Sequence, residues 1–492
     1  MDRALPGVGG VAGLLVRWLG FIYFWVFLGW WRQAPGLIGP QGILPASDYL
    51  GAVARHFSPA ARAWFAPTLL WLSSSTLALH LLCATGLAAA VAIMLGRHPR
   101  WGLAACLVAF LSLIACAQVF ANYQSDGMLM TAGFCALFLD ARRPSWWSWF
   151  SLRWLWFTIY FGSGIAKWMS GDPAWRHLTA IDQYYQNLPL PNWLGWYAQE
   201  FLPHGIEAAI AAAILIVEIV LVWLAFLPRR WRILCFWIVT PFQVAIILTA
   251  NYGFLNYLVL GLGLTLLDDR HLHWLLRRPR AAMVAARAQA GRKTAVASLA
   301  LVALVALTGL NLLGRLWPAF PAPERVSAAV QPFRIADPFG LFAVMTRNRY
   351  EIEFQGTRDG HTWTAYPYRY KPQNPRRAPV GDWFLLAPYQ PRFDWNLWFA
   401  SLGGYRQYRW VEATELRLLA NDPAVLALFA GNPFRGQPPI AVRTVLWQYW
   451  FSTPAQKQAQ GAWWQRKLLG AYAPTLVRTP AGVEELTGPG NP

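Results

Sequence analysis

Charge is what this sequence has least of. Only 13% of its 492 residues are Asp, Glu, Lys or Arg, about half the share of a soluble globular chain. With 56% hydrophobic residues and a mean hydropathy of +0.31, that scarcity argues against an ordinary water-soluble fold. Acidic residues are scarcer still, 23 against 42 basic ones, for a net charge of +19. Such an excess suits a nucleic-acid binder, but its placement argues otherwise. The densest basic run, Arg270–Lys293, joins two apolar segments, where positive charge marks a cytoplasmic loop. Nucleic acid is therefore not an expected partner. Lysine is confined to Lys167, Lys293, Lys371, Lys457 and Lys467, an arginine bias that fits a GC-rich bacterial genome.

Other absences narrow the reading further. All cysteines (Cys83, Cys106, Cys116, Cys135 and Cys235) fall in apolar runs, so no disulfide framework is expected outside the bilayer. There is no CxxC pair, no Asn-x-Ser/Thr sequon, no GxSxG, no glycine-rich phosphate loop and no HExxH. His177, His204, His271 and His273 show no metal-ligand spacing. No metal and no cofactor are expected.

What is present is a recurrence of apolar runs of bilayer length, which needs about 20 residues per helix. Nine spans are expected: Leu14–Trp31, Pro67–Leu95, Trp101–Phe120, Gly127–Leu139, Trp149–Trp168, Ile206–Leu227, Ile233–Thr249, Gly253–Leu267 and Thr294–Trp317. The fourth and eighth are short enough to be re-entrant. The first carries Arg17 and no small-residue cleavage site, so it reads as a retained helix. Thirty tryptophans suit the membrane–water boundary. Arg97/Arg100, Arg142/Arg143, Arg229/Arg230/Arg232 and Arg270–Lys293 share one side. That side is cytoplasmic by the positive-inside rule, leaving Met169–Gly205 and everything after Trp317 extracytoplasmic. Ala121-Asn122-Tyr123 with Asp140, and Ala250-Asn251-Tyr252 with Asp268-Asp269, suggest a duplicated hairpin; chance similarity between apolar helices explains them equally well.

Beyond about Val330 the pattern changes. Tyr350, Ile352 and Phe354 alternate with polar residues, Asp359-Gly360 supplies a turn, and Trp363, Tyr366, Tyr368 and Tyr370 keep strand-like spacing. The expected fold is thus a polytopic α-helical membrane domain over residues 1–317 and a linker over 318–345. A β-rich, sandwich-like extracytoplasmic domain with short helices follows over 346–475, then a flexible tail over 476–492.

Ionisable and amide groups within spans are expensive and invite a functional reading. Asn122, Asp126, Lys167, Glu207, Glu218, Asn251 and Asn256 form the candidate polar pocket, opening toward the outer face. Glu218 lies deeper than the rest, near mid-span, eleven residues after Glu207 and close to the same helix face. Lys167 is the candidate catalytic residue, paired with Asp126 or Glu218; the plainer alternative is an anchor that snorkels to the interface.

The block Gly164, Lys167, Gly171, Asp172, Trp175, Arg176 resembles the signature of the lipase maturation factor family. So do Leu188–Asn192, Val217-Glu218 with Pro228–Arg230, Asn251–Asn256 with Asp268-Asp269, and Pro388–Ala400 with Asn432–Phe434. The likeness runs in order from about residue 120 to 470, and departs from the family pattern at Thr131 and Tyr184–Pro189. It implies an integral membrane protein of the endoplasmic reticulum, or of the inner membrane in a bacterial member. The implied role is assistance to folding and assembly of an exported client such as a lipase. Arg392, Asp394, Trp395 and Trp398 are the candidate client-binding residues if the tryptophans are exposed; the plainer alternative is that these are core residues of the C-terminal domain. A shorter similarity, Tyr160-Phe161 with Gly164 and Lys167, points to the membrane domain of vitamin K-dependent γ-carboxylase. It carries the alternative of a membrane enzyme with an outward pocket around Lys167.

Overall fold

The computed structural model describes residues 10–139, 145–275, 294–380 and 387–486. Arg142/Arg143, Asp140 and the basic run from residue 276 to Lys293 lie outside the described residues. Among the described residues, the helical domain starts with α1 (Gly10–Ile38), about 43 Å long at 1.5 Å per residue. Short α2 (Ala46–His56) and α3 (Pro59–Phe65) precede α4 (Thr76–Met94), α5 (Pro99–Ile114), α6 (Gln124–Leu137) and α7 (Trp146–Met169). The connection that follows holds α8 (Pro173–Arg176), β1 (Leu190–Pro191) and α9 (Trp193–Phe201). Next come α10 (His204–Leu215), continued by a π turn (Ile216–Val220) and a 3-10 stretch (Leu221–Phe226), then α11 (Arg229–Thr249), β2 (Ala250–Asn251), α12 (Phe254–Leu262), α13 (Asp269–Leu275) and α14 (Thr294–Leu316).

Among the described residues, five helices are long and apolar enough to cross a membrane: Gly10–Ile38, Thr76–Met94, His204–Phe226, Arg229–Thr249 and Ala295–Leu316. The chain is an integral membrane protein. Every segment expected to span holds a helix, yet nine crossings do not follow from them. Pro99–Ile114 and Phe254–Leu266 are shorter than a bilayer requires, and α6 has 14 residues. The 24-residue α7 is rich in Trp and Ser and less apolar. The most apolar window of α1 is 61% buried against 11% for α14, so α1 runs through the core of the domain and α14 along its outside.

Among the described residues, the C-terminal region holds one sheet and not the expected sandwich. β3 (Arg349–Thr357), β4 (Thr364–Ala365), β5 (Ala441–Phe451), β6 (Trp464–Ala471), β7 (Thr475–Thr479) and β8 (Gly482–Leu486) pair antiparallel in the order β4-β3-β5-β7-β8, with β6 also on β5. Helices close one face where a second sheet would have been: α16 (Arg392–Ser401) packs on β3, and α17 (Trp410–Leu419) on β5 and β7. The short helices α18 (Pro423–Leu426) and α19 (Pro454–Gln460) complete the domain, and α15 (Glu324–Val330) precedes it, bonded to Asn311 and Trp64 of the helical domain. The tail expected to be flexible from residue 476 is sheet up to Leu486, because Thr475–Thr479 pairs with Gly482–Leu486 and with Ala441-Val442. The expected linker is no tether either. It contains α15 and buries Ala336 and Phe339 against the helices.

One face of β3 carries Arg349, Glu351 and Glu353 at the two-residue period of a strand. These charges are buried, not solvated. Arg349 donates to the carbonyl of Gln186 at 2.9 Å and to those of Leu188 and Pro189, in the connection between α7 and α10. Trp196 Nε1 donates to Ser452 O at 2.9 Å, and Asn187 to Thr346 O at 2.8 Å. The sheet domain therefore sits directly on the end of the helical domain from which that connection emerges.

Candidate functional site

The signature Gly164–Arg176 builds the seam between the two domains. A Cβ on Gly164 would stand 2.8 Å from Glu218 Cβ, so glycine there lets α7 approach the π turn closely. Three residues on, Lys167 Nζ reaches both Glu218 oxygens at 2.7 and 3.0 Å and the Leu341 carbonyl at 3.1 Å. The three donors of an ammonium group thus have three acceptors, and the Trp175 ring lies 5.3 Å away. Gly171 takes a left-handed φ of +72° that turns the chain into Asp172. One Asp172 oxygen caps α8 through Ala174 N at 2.9 Å, and the other accepts Met345 N at 2.6 Å. Trp175 Nε1 donates to Phe342 O at 3.0 Å. Arg176 is exposed, lying 3.6 Å from the space a Gly171 side chain would take. The signature residues clasp the 341–346 segment.

Asp126 belongs to a different constellation. It does not meet Lys167 but accepts Arg392 at 2.5 and 2.9 Å, a bidentate pair with both side chains buried. Arg392 also donates to Phe120 O at 2.8 Å and lies 4.4 Å over the Trp30 ring. Of the two readings of the candidate client-binding set, the tryptophans take the core one. Trp395 is 7% and Trp398 9% exposed, because α16 is wedged between the sheet and the helical domain, where Phe393, Trp395 and Trp398 turn inward and only Phe399 of its aromatic residues stays exposed. Asp394 is buried as well. Its carboxyl is pushed up to about 7 by burial, only partly offset by the Lys371 ammonium and backbone donors. Burial lowers the Lys371 ammonium, against the pull of Glu351 at 2.5 Å.

The remaining expected pocket residues scatter. Asn122 is exposed at the rim. Asn251 accepts Gly253 N at 2.9 Å and shapes the turn after β2. Asp268 binds Arg229 at 2.5 Å, and Asp269 accepts Val11 N at 2.8 Å. Both lie at the far end of the helical domain from the sheet. Glu207 faces not Lys167 but Asp182 and His204, their ligand atoms within 4.8 Å of one another. The histidines show no ligand spacing in sequence, and the fold supplies this cluster by folding the connection back onto the start of α10. Asn256 does share a cavity with Lys167 and Glu218.

Two cavities meet at the clasped segment. One, about 310 Å³, lies among α7, α10, α11 and α12 and holds Lys167, Glu218, Gln243 and Asn256 on largely apolar walls. The other, about 360 Å³, lies at the seam and is lined by Tyr123, Asn187, Val344, Trp395, Trp398 and Phe399. Tyr184, Tyr252, Leu341, Phe342 and Met345 border both. Sequence reasoning missed Gln243, to which the Tyr160 hydroxyl donates at 2.8 Å. The only signal was a glutamine inside an apolar run.

Comparison with known proteins gives two matching family models, the lipase maturation factor transmembrane domain over residues 11–274 and the lipase maturation factor C-terminal domain over 335–474. Lipase maturation factor 1 of Bos taurus is 32% identical over 511 residues, covering 94% of this chain and 88% of that protein. Lipase maturation factor 2 of Homo sapiens is 30% identical over 601 residues, covering 94% and 82%. No solved structure matches.

Proposed function

The chain belongs to the lipase maturation factor family, and from that premise we propose that it is a membrane-embedded maturation factor assisting the folding and assembly of secreted lipases or related exported proteins. The observation that carries this is the extent of the likeness, 94% of the chain, so helical and sheet domains are shared as a unit. The docked seam supports a holding role. Beside its cavity stand Phe342 and Phe399, each 36% exposed, and Val344, 70% exposed. Exposed apolar surface of this kind suits the unpaired apolar surface of an unfinished client. The buried Trp395 and Trp398 shape the cavity wall behind it.

The sheet domain faces the extracytoplasmic side, where exported clients fold. Charge placement supports this: Arg229 and Arg232 gather around Asp268, at the end opposite the sheet, as the positive-inside rule asks of a cytoplasmic face. The test is expression of a secreted lipase in cells with and without this chain. Loss of the chain is expected to lower active secreted lipase while leaving lipase mRNA and total lipase protein unchanged. Equal active yields would overturn the proposal.

A further inference from the structure

The cavity around Lys167 opens sideways. Its walls include Ile210 and Ile214 of α10 and Phe242 and Ile246 of α11. Between these helices Ala213 and Ala245 line the cavity and are exposed. Both helices present most of their surface outward, with only 28% and 22% of their most apolar windows buried. In an integral membrane protein that mouth faces hydrocarbon, so what enters it comes from the bilayer.

The inner wall is not hydrocarbon-like. Asn256 is 5% exposed, lines the cavity, and its carboxamide forms no hydrogen bond among the described residues. Gln243 is 4% exposed; its oxygen accepts the Tyr160 hydroxyl, and its NH2 has no acceptor among them. Tyr184 accepts the Tyr252 hydroxyl at 2.8 Å, which leaves its own proton to donate. Unspent donors away from water are costly, and an occupant with oxygen acceptors would satisfy them. Its charge follows from the ion pair. Lys167 is consumed by Glu218 and Leu341, so an anionic headgroup would find no free cation there and a carboxylate close by. Glu218 itself sits in a π turn, a distortion frequent at functional sites.

We propose that this cavity is a binding site for a neutral, ester-linked lipid of the diacylglycerol type. An acyl chain enters between α10 and α11, and the ester carbonyls accept hydrogen bonds from Asn256 and Gln243. This does not depend on the client reading above, since occupancy is measured with no client present.

The test uses the full chain in lipid nanodiscs with a diacylglycerol bearing a diazirine on one acyl chain. Illumination should label peptides containing Ile210, Ile214 and Ile246. Ala213→Trp, which fills the mouth from a lipid-exposed position, should reduce that labelling about tenfold. Asn256→Leu keeps the shape and removes an unpartnered amide. It should reduce labelling several-fold without lowering the unfolding temperature, which keeps the test decisive if Ala213→Trp misfolds. Labelling spread over outward residues such as Leu248 and unchanged in both variants would overturn the site. Cavity labelling by a diazirine fatty acid with a free carboxylate, but not by the diacylglycerol, would overturn the assignment of a neutral ester lipid.

Discussion

Removing one partner of the Asp126–Arg392 pair should undo the docking of the two domains. Both side chains are buried, at 0% and 3% exposure. Arg392→Met leaves the Asp126 carboxylate without its two guanidinium donors and removes the Arg392 donor from the Phe120 carbonyl. Breaking a buried pair from one side costs about 3–5 kcal/mol, most of it the price of an uncompensated charge. Asp126→Leu strands the guanidinium in the same way, although the Trp30 face 4.4 Å away returns about 0.5–2 kcal/mol. The double variant strands neither charge. It should lose no more than either single change, giving a coupling of at least about 2 kcal/mol. Arg392→Lys retains the charge but not the fork, and should fall between wild type and Arg392→Met. The assay is thermal or denaturant unfolding of the purified protein in detergent, followed by a probe on the sheet domain. Additive losses, or single variants within about 0.5 kcal/mol of wild type, would refute the idea that this pair holds the domains together.

Lys167→Met should lower abundance sharply by leaving Glu218 unpaired. Lys167→Arg should be milder yet still impaired, because a planar guanidinium does not reproduce the ammonium's three convergent bonds to Glu218 and the Leu341 carbonyl. Normal abundance of Lys167→Met would remove the structural role assigned to this pair. Asp394, held near 7 in the fold against about 4 unfolded, stabilises the fold fully only below its unfolded value. That contribution, on the order of 4 kcal/mol, fades as pH rises from about 4 through 7. Comparing Asp394→Asn with wild type across that range should show the variant losing less stability on the alkaline side; parallel curves would be the contrary result. Leu476, 2% exposed in β7, should cost about 2–5 kcal/mol when changed to Ala, read as a lower unfolding temperature; a surface-like effect would mean that β7 is not part of the core.

Much of this was legible in the sequence. Apolar run length located the nine segments of the helical domain expected to span, since backbone hydrogen bonds in lipid must close locally, though not the short helices between them. The alternation at Tyr350, Ile352 and Phe354 located β3. The ordered motifs pointed to the family. What sequence could not supply is pairing across distance. Asp126 and Lys167 looked like possible partners because both fall near one face of the membrane. Arg392, 266 residues from Asp126 along the chain, was the group that reached it.

Local composition determined which segments are helical, which are strands and which meet lipid, because propensity and hydropathy act within a turn or two of each residue. Tertiary structure decided exposure and partnership. It buried Trp395 and Trp398, turned the charged face of β3 inward onto the Gln186–Pro189 carbonyls, closed one sheet with helices instead of a second sheet, and opened a lateral cavity beside Glu218. The physical reason is that burial and ion pairing are properties of whichever surfaces meet, and α16, separated from α6 by more than 250 residues, carries no local trace of the surface it will cover.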